Sequence, residues 1–293
     1  MDSSTPADAA DPAEAFAALS DPTRVAILQA LWDADGRELP FSELRSAVGV
    51  DDSGRFNYHV GKLTNRFVRK TDDGYKLRLA GIQVIGAVLS GSVTQDGHAD
   101  PLPFGESCPL CGGQMTFRYE DERVKITCDD CGHWTMEWRI PPGVFAAHDH
   151  EVYPAVAERY MRALVVRADD GFCSVCEGPI VPSLSSARGA GFDDQRFEGV
   201  PFVEYACDRC GQTITADLGA ALHRRPPVAG FYHDRGVDLR ETSLLDFAAV
   251  DERARFVTED PRRAAVTYRV DGDELTLVVD ESLSVVGSEI TGR

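Results

Sequence analysis

A chain of 293 residues, 43% of them hydrophobic, is long enough for roughly two domains with proper cores. Its formal charge of −18, from 48 acidic against 30 basic side chains, means that most of its surface repels a polyanion. No stretch approaches the ~18 consecutive apolar residues of a membrane span, and the opening MDSSTPADAADPAEAF has neither a basic n-region nor a long apolar run, so a soluble, cytoplasmic protein without a secretory signal is expected.

The basic set is unusual: four lysines (Lys62, Lys70, Lys76 and Lys125) stand against 26 arginines. An acidic, Lys-poor surface stays hydrated and self-repelling, as concentrated salt requires, so composition points to a halophilic cytoplasm. An acidic partner-binding face in a mesophile is the alternative. In molar salt the Debye length is about 3 Å and counterion release contributes little to DNA binding. Affinity there rests on hydrogen bonds and close packing.

Residues 1–12 are small, acidic and Pro-containing, and read as a disordered tail. A short helix is expected from Pro12 to Leu19, and a second opens at Ser20-Asp21-Pro22-Thr23, where Asp21 suits the N-cap and Pro22 the first helical position. Val25, Leu28, Leu31 and Trp32 form its apolar stripe. A third helix is expected over Phe41–Val48, with Ser42 as N-cap and Gly49 near its end.

Next comes Ser53–Leu79. Phe56, Val60, Leu63 and Phe67 recur at i, i+4, i+7 and i+11, which lines one side of a helix. Gly54, Tyr58, Gly61 and Asn65 point away, with Arg55 and Lys62 on one shoulder and Asn57 on the other. A hairpin follows, Phe67–Lys70 and Tyr75–Leu79, joined at Asp72-Asp73-Gly74. Across residues 53–80 seven basic side chains face two acidic ones, reversing the sign of the chain. Helix, helix, turn, helix and basic hairpin is the order of a winged helix-turn-helix. A further helix over Ala80–Leu89 places Ile82, Ile85 and Leu89 on one side, either to meet a partner chain or to cap its own domain.

FAALSDPTRVAILQAL, then Ser53-x5-His59-Val60-x2-Leu63 and a basic wing, resembles the ArsR-type winged-helix regulators, particularly those of halophilic archaea. The resemblance covers about residues 13–90 and implies a homodimer that binds double-stranded operator DNA and answers to a signal. With this helix laid in the major groove, base reading is expected of Arg55, Asn57, Tyr58 and Lys62, and phosphate or minor-groove contacts of the wing residues Arg69, Lys70 and Lys76. His59 lies beside the apolar stripe and is expected to pack. Metal-sensing members carry Cys-x-Cys on the helix before the recognition helix; Phe41-Ser42-Glu43-Leu44-Arg45 has no soft ligand, so that mechanism is absent.

Residues 91–106 read as a Gly/Pro-rich linker, and 107–293 as a second domain. All eight cysteines fall in Cys-x-x-Cys pairs, which in an intracellular chain favours metal over disulfides. Cys108 and Cys111 precede Cys128 and Cys131 by sixteen intervening residues, the spacing of a zinc ribbon (about 107–141). Cys173 and Cys176 precede Cys207 and Cys210 by thirty, a second ribbon (about 172–218) with a surface loop over Ser183–Gly199; pairing across the quartets is the alternative. Two structural zinc ions are expected, with a redox or metal sensor as the sharper possibility. Trp134, Met136, Trp138 and Ile140 alternate like a strand, and a helix over Pro154–Val166, with Val156, Tyr160, Ala163 and Leu164 on one side, is placed to pack the ribbons together. The polar run His148-Asp149-His150-Glu151 reads as a solvated approach to that helix.

A terminal α+β unit (237–290) is expected to hold one helix, Glu241–Val250, and strands over 255–258, 265–270, 274–279 and 283–286, with a turn at Asp271-Gly272-Asp273. The fold class is therefore α+β: a winged helix-turn-helix, two zinc-ribbon-like units of four cysteines each, and a small meander. No nucleophile motif, phosphate loop or open metal site points to an enzyme. The functional expectation is a sequence-specific transcriptional regulator. The alternative is a polymerase-interacting protein, since a winged helix followed by a zinc ribbon also resembles the archaeal general transcription factor E.

Overall fold

The computed structural model of the chain describes residues 11–133, 135–186, 197, 199–250 and 252–292. It divides into two compact units, Met1–Gln95 and Asp96–Arg293. Of the tail expected over 1–12, all but Asp11 and Pro12 lies outside the described residues, as does Trp134.

In the first unit the Asp11 carboxylate accepts the Ala13 amide and starts α1 (Pro12–Ala17). Asp21 caps α2 (Pro22–Asp33) by accepting the Thr23 amide at 2.8 Å, with Pro22 in the first turn, where its missing N–H has no helical partner to lose. The buried stripe of α2 is Ile27, Leu28 and Leu31; Trp32, expected inward, is 42% exposed. α3 (Phe41–Val48) starts from Pro40, whose carbonyl accepts the Leu44 amide, so Ser42 lies inside the helix and is not its cap.

α4 (Ser53–Leu63) begins at Asp52, whose carboxylate accepts the Arg55 amide. It buries Phe56, His59, Val60 and Leu63, and the Phe56 ring meets Phe41 edge-on at 5.1 Å. The hairpin is β1 (Val68–Lys70) and β2 (Tyr75–Leu77), antiparallel with Arg69 opposite Lys76. α5 (Leu79–Leu89) packs through Gly81 and Ile85; Ile82 and Leu89 turn outward at 41% and 52% exposure, because the contact face is the one on which Gly81 meets the Phe67 carbonyl.

The second unit opens with a four-stranded antiparallel sheet in the order β3 (His98–Phe104), β4 (Met115–Glu120), β5 (Arg123–Cys128), β6 (Thr135–Arg139). β3 corrects the expected linker over 91–106, since His98 to Phe104 pair with β4. Two prolines made this stretch look unstructured, yet Pro101 falls at a bulge and Pro103 on an edge strand, where a missing N–H is tolerated. A second sheet follows α6 (Tyr153–Asp169), in the order β7 (Val181–Ser186), β8 (Pro201–Ala206), β9 (Thr213–Asp217). The loop expected over Ser183–Gly199 is thereby shortened at both ends: Ser183–Ser186 complete β7, and Phe197 is buried, while 187–196 and 198 lie outside the described residues.

α6 buries Val156, Ala157, Met161, Val165 and Ala168 in place of the side built on Tyr160 and Leu164. Its N-terminal half belongs to the core under the first sheet and its C-terminal half to the core under the second, so it joins the two ribbons as expected. The remainder holds α7 (Leu218–Leu222), α8 (Pro226–His233) and α9 (Leu244–Phe247). The helix expected over Glu241–Val250 shrinks to α9, because Ser243 and Asp246 form a capping box that starts it late. The antiparallel meander β10 (Ala254–Glu259), β11 (Arg262–Val270), β12 (Asp273–Asp280), β13 (Val285–Thr291) matches expectation, with Asp271 and Gly272 both at positive φ in its two-residue turn. Among the described residues no helix is long and apolar enough to cross a membrane.

Candidate nucleic-acid interface and metal centres

The outward face of α4 follows from its inward one. With Phe56, His59, Val60 and Leu63 buried, the 100° step leaves Arg55, Asn57, Tyr58, Gly61 and Lys62 exposed. The Lys62 ammonium lies 5.5 Å from the Tyr58 ring centre, so the two present one surface. His59, 5% exposed, turns Nδ1 toward the Asp21 carboxylate at 3.6 Å and packs as expected.

The hairpin is held by contacts that the sequence did not disclose. The Leu39 and Tyr75 amides each donate to the other's carbonyl, at 3.0 and 2.9 Å. Gly74 sits against this bridge, and a Cβ there would collide with the Leu39 carbonyl; close approach, more than turn conformation, requires the glycine. Arg69 and Lys70 are exposed, but Lys76 donates to Glu38 Oε1 at 2.6 Å. Lys76 stands opposite Arg69, a like-charge pair that Glu38 relieves. Hydrogen bonds from Lys76 and Thr71 hold the Glu38 carboxyl below the usual carboxylate range. Lys76 is therefore paired with Glu38, which precedes α3, rather than open to a phosphate.

Beside α4 lies an open groove of about 1000 Å³ lined by Arg24, Tyr58, Lys62, Arg66 and Arg78 among others. Arg66 pairs with Glu14 at 3.7 Å and Arg78 donates to the Asn65 carbonyl, so both are spoken for. Arg24 is engaged as well, its Nη1 donating to the Ala17 carbonyl at 3.3 Å. It occupies the first turn of α2, where the helix dipole disfavours a cation.

In the second unit each quartet closes on itself, which excludes pairing across the two: the four sulfurs of each lie within 4.8 Å of one another. Cys108–Cys131 and Cys111–Cys128 sulfurs are 3.9 and 3.5 Å apart, Cys173–Cys210 and Cys176–Cys207 3.7 and 3.5 Å. A tetrahedron with metal–sulfur bonds of about 2.3 Å has edges of about 3.8 Å, so both quartets fit a four-coordinate metal. All four knuckles share one backbone scheme: the amide four residues after the first Cys donates back to its carbonyl, as Gly112 does to Cys108 and Gly211 to Cys207. That residue takes positive φ every time, at Gly112, Gly132, Glu177 and Gly211. The Cys131 and Val175 amides donate to Cys128 and Cys173 sulfurs, both at 3.4 Å.

Crowded sulfurs resist ionising together without a cation. At Cys111 the Gly113 amide favours the thiolate, but neighbouring thiols and burial push it up to about 12. Cys210, against the Gln212 amide, is likewise pushed to about 12 by burial and its neighbours. Cys173 goes the other way: burial opposes ionisation, yet the Cys176 and Val175 amides and two neighbouring sulfurs bring it down to about 7. His150 lies apart, its ring nitrogen 3.1 Å from the Asp100 carbonyl.

Residues 105–285, more than half of the chain, match the family described as Domain of unknown function (DUF7351). The chain belongs to the DUF7351 family. The match takes in both cysteine quartets and stops at the start of β13, whereas β3 precedes it. Residues 12–88, ahead of the DUF7351 region, match a second family, Domain of unknown function (DUF7347), which spans α1 to α5 almost to its end. No curated protein matches the chain.

Proposed function

We propose that this chain is a sequence-specific transcriptional regulator, in which a winged helix-turn-helix over residues 13–90 reads double-stranded DNA. The observation that carries the reading is the outer face of α4. Arg55, Tyr58 and Lys62 stand exposed around Gly61 on a helix rooted by Phe56, Val60 and Leu63, in a segment whose charge opposes that of the whole chain. An α-helix fits the major groove, where Arg55 and Lys62 suit guanine O6 and N7 and Asn57 suits adenine. Arg69 and Lys70 follow on the adjoining hairpin, placed for phosphates. Outward-facing Ile82 and Leu89 on α5 supply apolar surface for a homodimer, whose two-fold symmetry calls for a palindromic operator.

Two structural zinc ions fill the quartets in this proposal, one per ribbon. Every ligand is a thiolate and each set closes a tetrahedron, leaving no open position for a reaction. The metal supplies folding free energy that so small a ribbon lacks.

Selection from random duplexes in molar KCl tests the reading on the full-length protein. A palindromic consensus is expected, and Arg55→Ala combined with Asn57→Ala should weaken binding to it by roughly 30-fold or more, since each good base contact contributes about 1–3 kcal/mol and two are lost. Retention of the same sequence preference by the double variant would reject α4 as the reading element. Polymerase binding without sequence-selective DNA binding would favour the alternative that resembles transcription factor E.

A further inference from the structure

The second unit contains a cleft of about 610 Å³ that the DNA-reading proposal does not use. Every residue of β6, from Thr135 to Arg139, and every residue of β9, from Thr213 to Asp217, lines it. Successive side chains of a strand point to opposite faces. A cavity bounded by consecutive residues of both parities therefore meets each strand edge-on. The sheet orders agree: β6 ends the first sheet and β9 ends the second, so each presents a row of main-chain N–H and C=O groups that no strand pairs among the described residues. The floor between these rails is apolar, built from Met161, Leu164 and Val165 of α6 with Trp138 and Ile214 beside them.

Edge strands are ordinarily blunted by Lys, Pro or a bulge. Thr213-Ile214-Thr215-Ala216 has no charge and no proline, and its pairing with β8 runs without a register shift. In a chain that is 27% charged, this edge has been left open to pairing. The other ionic groups of the cleft are already engaged: Glu137 with Arg123, Arg167 with Glu177, and the Asp217 carboxylate with the Ala220 and Ala249 amides. Arg139 is exposed at the end of β6 and, among the described residues, has no side-chain partner.

We propose that this cleft binds an extended segment of a partner polypeptide, about five residues long, by strand addition between β6 and β9. Only a polypeptide offers donors and acceptors along both of its own edges to match these two. Alternate side chains of the segment are apolar and face the α6 floor, and an acidic residue at one end meets Arg139. The unit thus serves as a peptide-docking module in addition to any role in DNA binding, and its test involves no DNA.

A displayed library of random heptapeptides, panned against the full-length zinc-loaded protein in molar KCl, should enrich sequences with apolar residues at alternate positions and Asp or Glu at one end. A synthetic peptide of the enriched sequence, followed by fluorescence anisotropy, should lose at least tenfold in affinity when alternate backbone amides are N-methylated. Leu164→Glu charges a half-buried floor position and should weaken the peptide at least tenfold with zinc content and near-ultraviolet circular dichroism unchanged. Arg139→Glu, on the surface, should weaken the acidic peptide and restore binding when its acidic residue is replaced by Lys. Failure to enrich any sequence, or enriched peptides indifferent to N-methylation and to both substitutions, overturns the proposal.

Discussion

Gly61 lies in the interior of α4 with nothing within 4 Å of the place a Cβ would occupy. A helical glycine in open space costs the fold roughly 0.5–1 kcal/mol relative to alanine, and among the described residues no neighbour demands it. In the proposed reading, its use is the bare backbone it offers to DNA approaching α4. Gly61→Ala should therefore raise stability by about that amount in denaturant unfolding while weakening binding to the selected operator; a variant both more stable and equally tight would remove Gly61 from the interface. Asp217, at the end of β9, caps α7 by accepting the Ala220 amide at 3.0 Å. Although the residue is half-buried overall, its carboxyl is enclosed, and burial pushes it up to about 6 despite hydrogen bonds from the Ala220, Ala249 and Gly219 amides. Because this lies above the unfolded value of 3.8, the folded protein retains a proton that the unfolded chain releases in that interval. The contribution is fully present below about pH 4 and declines as pH rises to about 6. The melting temperature of the wild type minus that of Asp217→Asn should fall across this window, and an unchanged difference would show that Asp217 titrates normally. The outward place of Gly61 follows from the periodicity of α4, whereas the enclosure of Asp217 was not legible in the sequence, since distant segments such as Ala249 make it.

At the scale of elements, local chemistry was the most readable part. The caps at Asp21, the stripe of α4 and the four Cys-x-x-Cys knuckles are set within a few residues, and they form where the pattern places them. What escaped reading depends on partners far along the chain. β3 is a strand because β4 pairs with it, α7 and α8 are helices packed into the second core, and the Glu38 contacts to Lys76 and Thr71 span more than thirty residues. The knuckles also yield a prediction. Each quartet closes on itself, so Cys128→Ser should lower bound zinc from two ions per chain to one, read by elemental analysis, and leave the second ribbon's metal in place. Loss of both ions together would show that the ribbons fold as one. Glu177 holds the left-handed position that glycine fills in the other three knuckles. Relief of about 1 kcal/mol of backbone strain set against an exposed pair with Arg167 worth less than about 1 kcal/mol makes Glu177→Gly neutral to stabilising in thermal unfolding.

At the scale of the whole molecule, the proposed reading of DNA sets an electrostatic problem for α4 and its hairpin. The net charge of −18 opposes the approach of a polyanion, whereas the segment from Ser53 to Ala80 carries the opposite sign. Concentrated salt removes both terms, because a Debye length of about 3 Å silences the repulsion and also the long-range pull of Arg69 and Lys70. Short-range contacts at base edges survive it. Arg69→Ala with Lys70→Ala should accordingly reduce the slope of log affinity against log salt by roughly 0.9 per lost phosphate contact. Their penalty should shrink toward nothing in molar KCl. Arg55→Ala should instead keep its cost of about 1–3 kcal/mol at every salt concentration, because it loses a base contact as well as a charge. Titrations of the selected operator from 0.1 to 2 M KCl, roughly the span over which the Debye length contracts from about 10 Å to below 3 Å, separate the two classes. If the hairpin and α4 variants lose affinity in parallel across that range, α4 contributes only charge, and the division between a reading helix and a positioning hairpin is wrong.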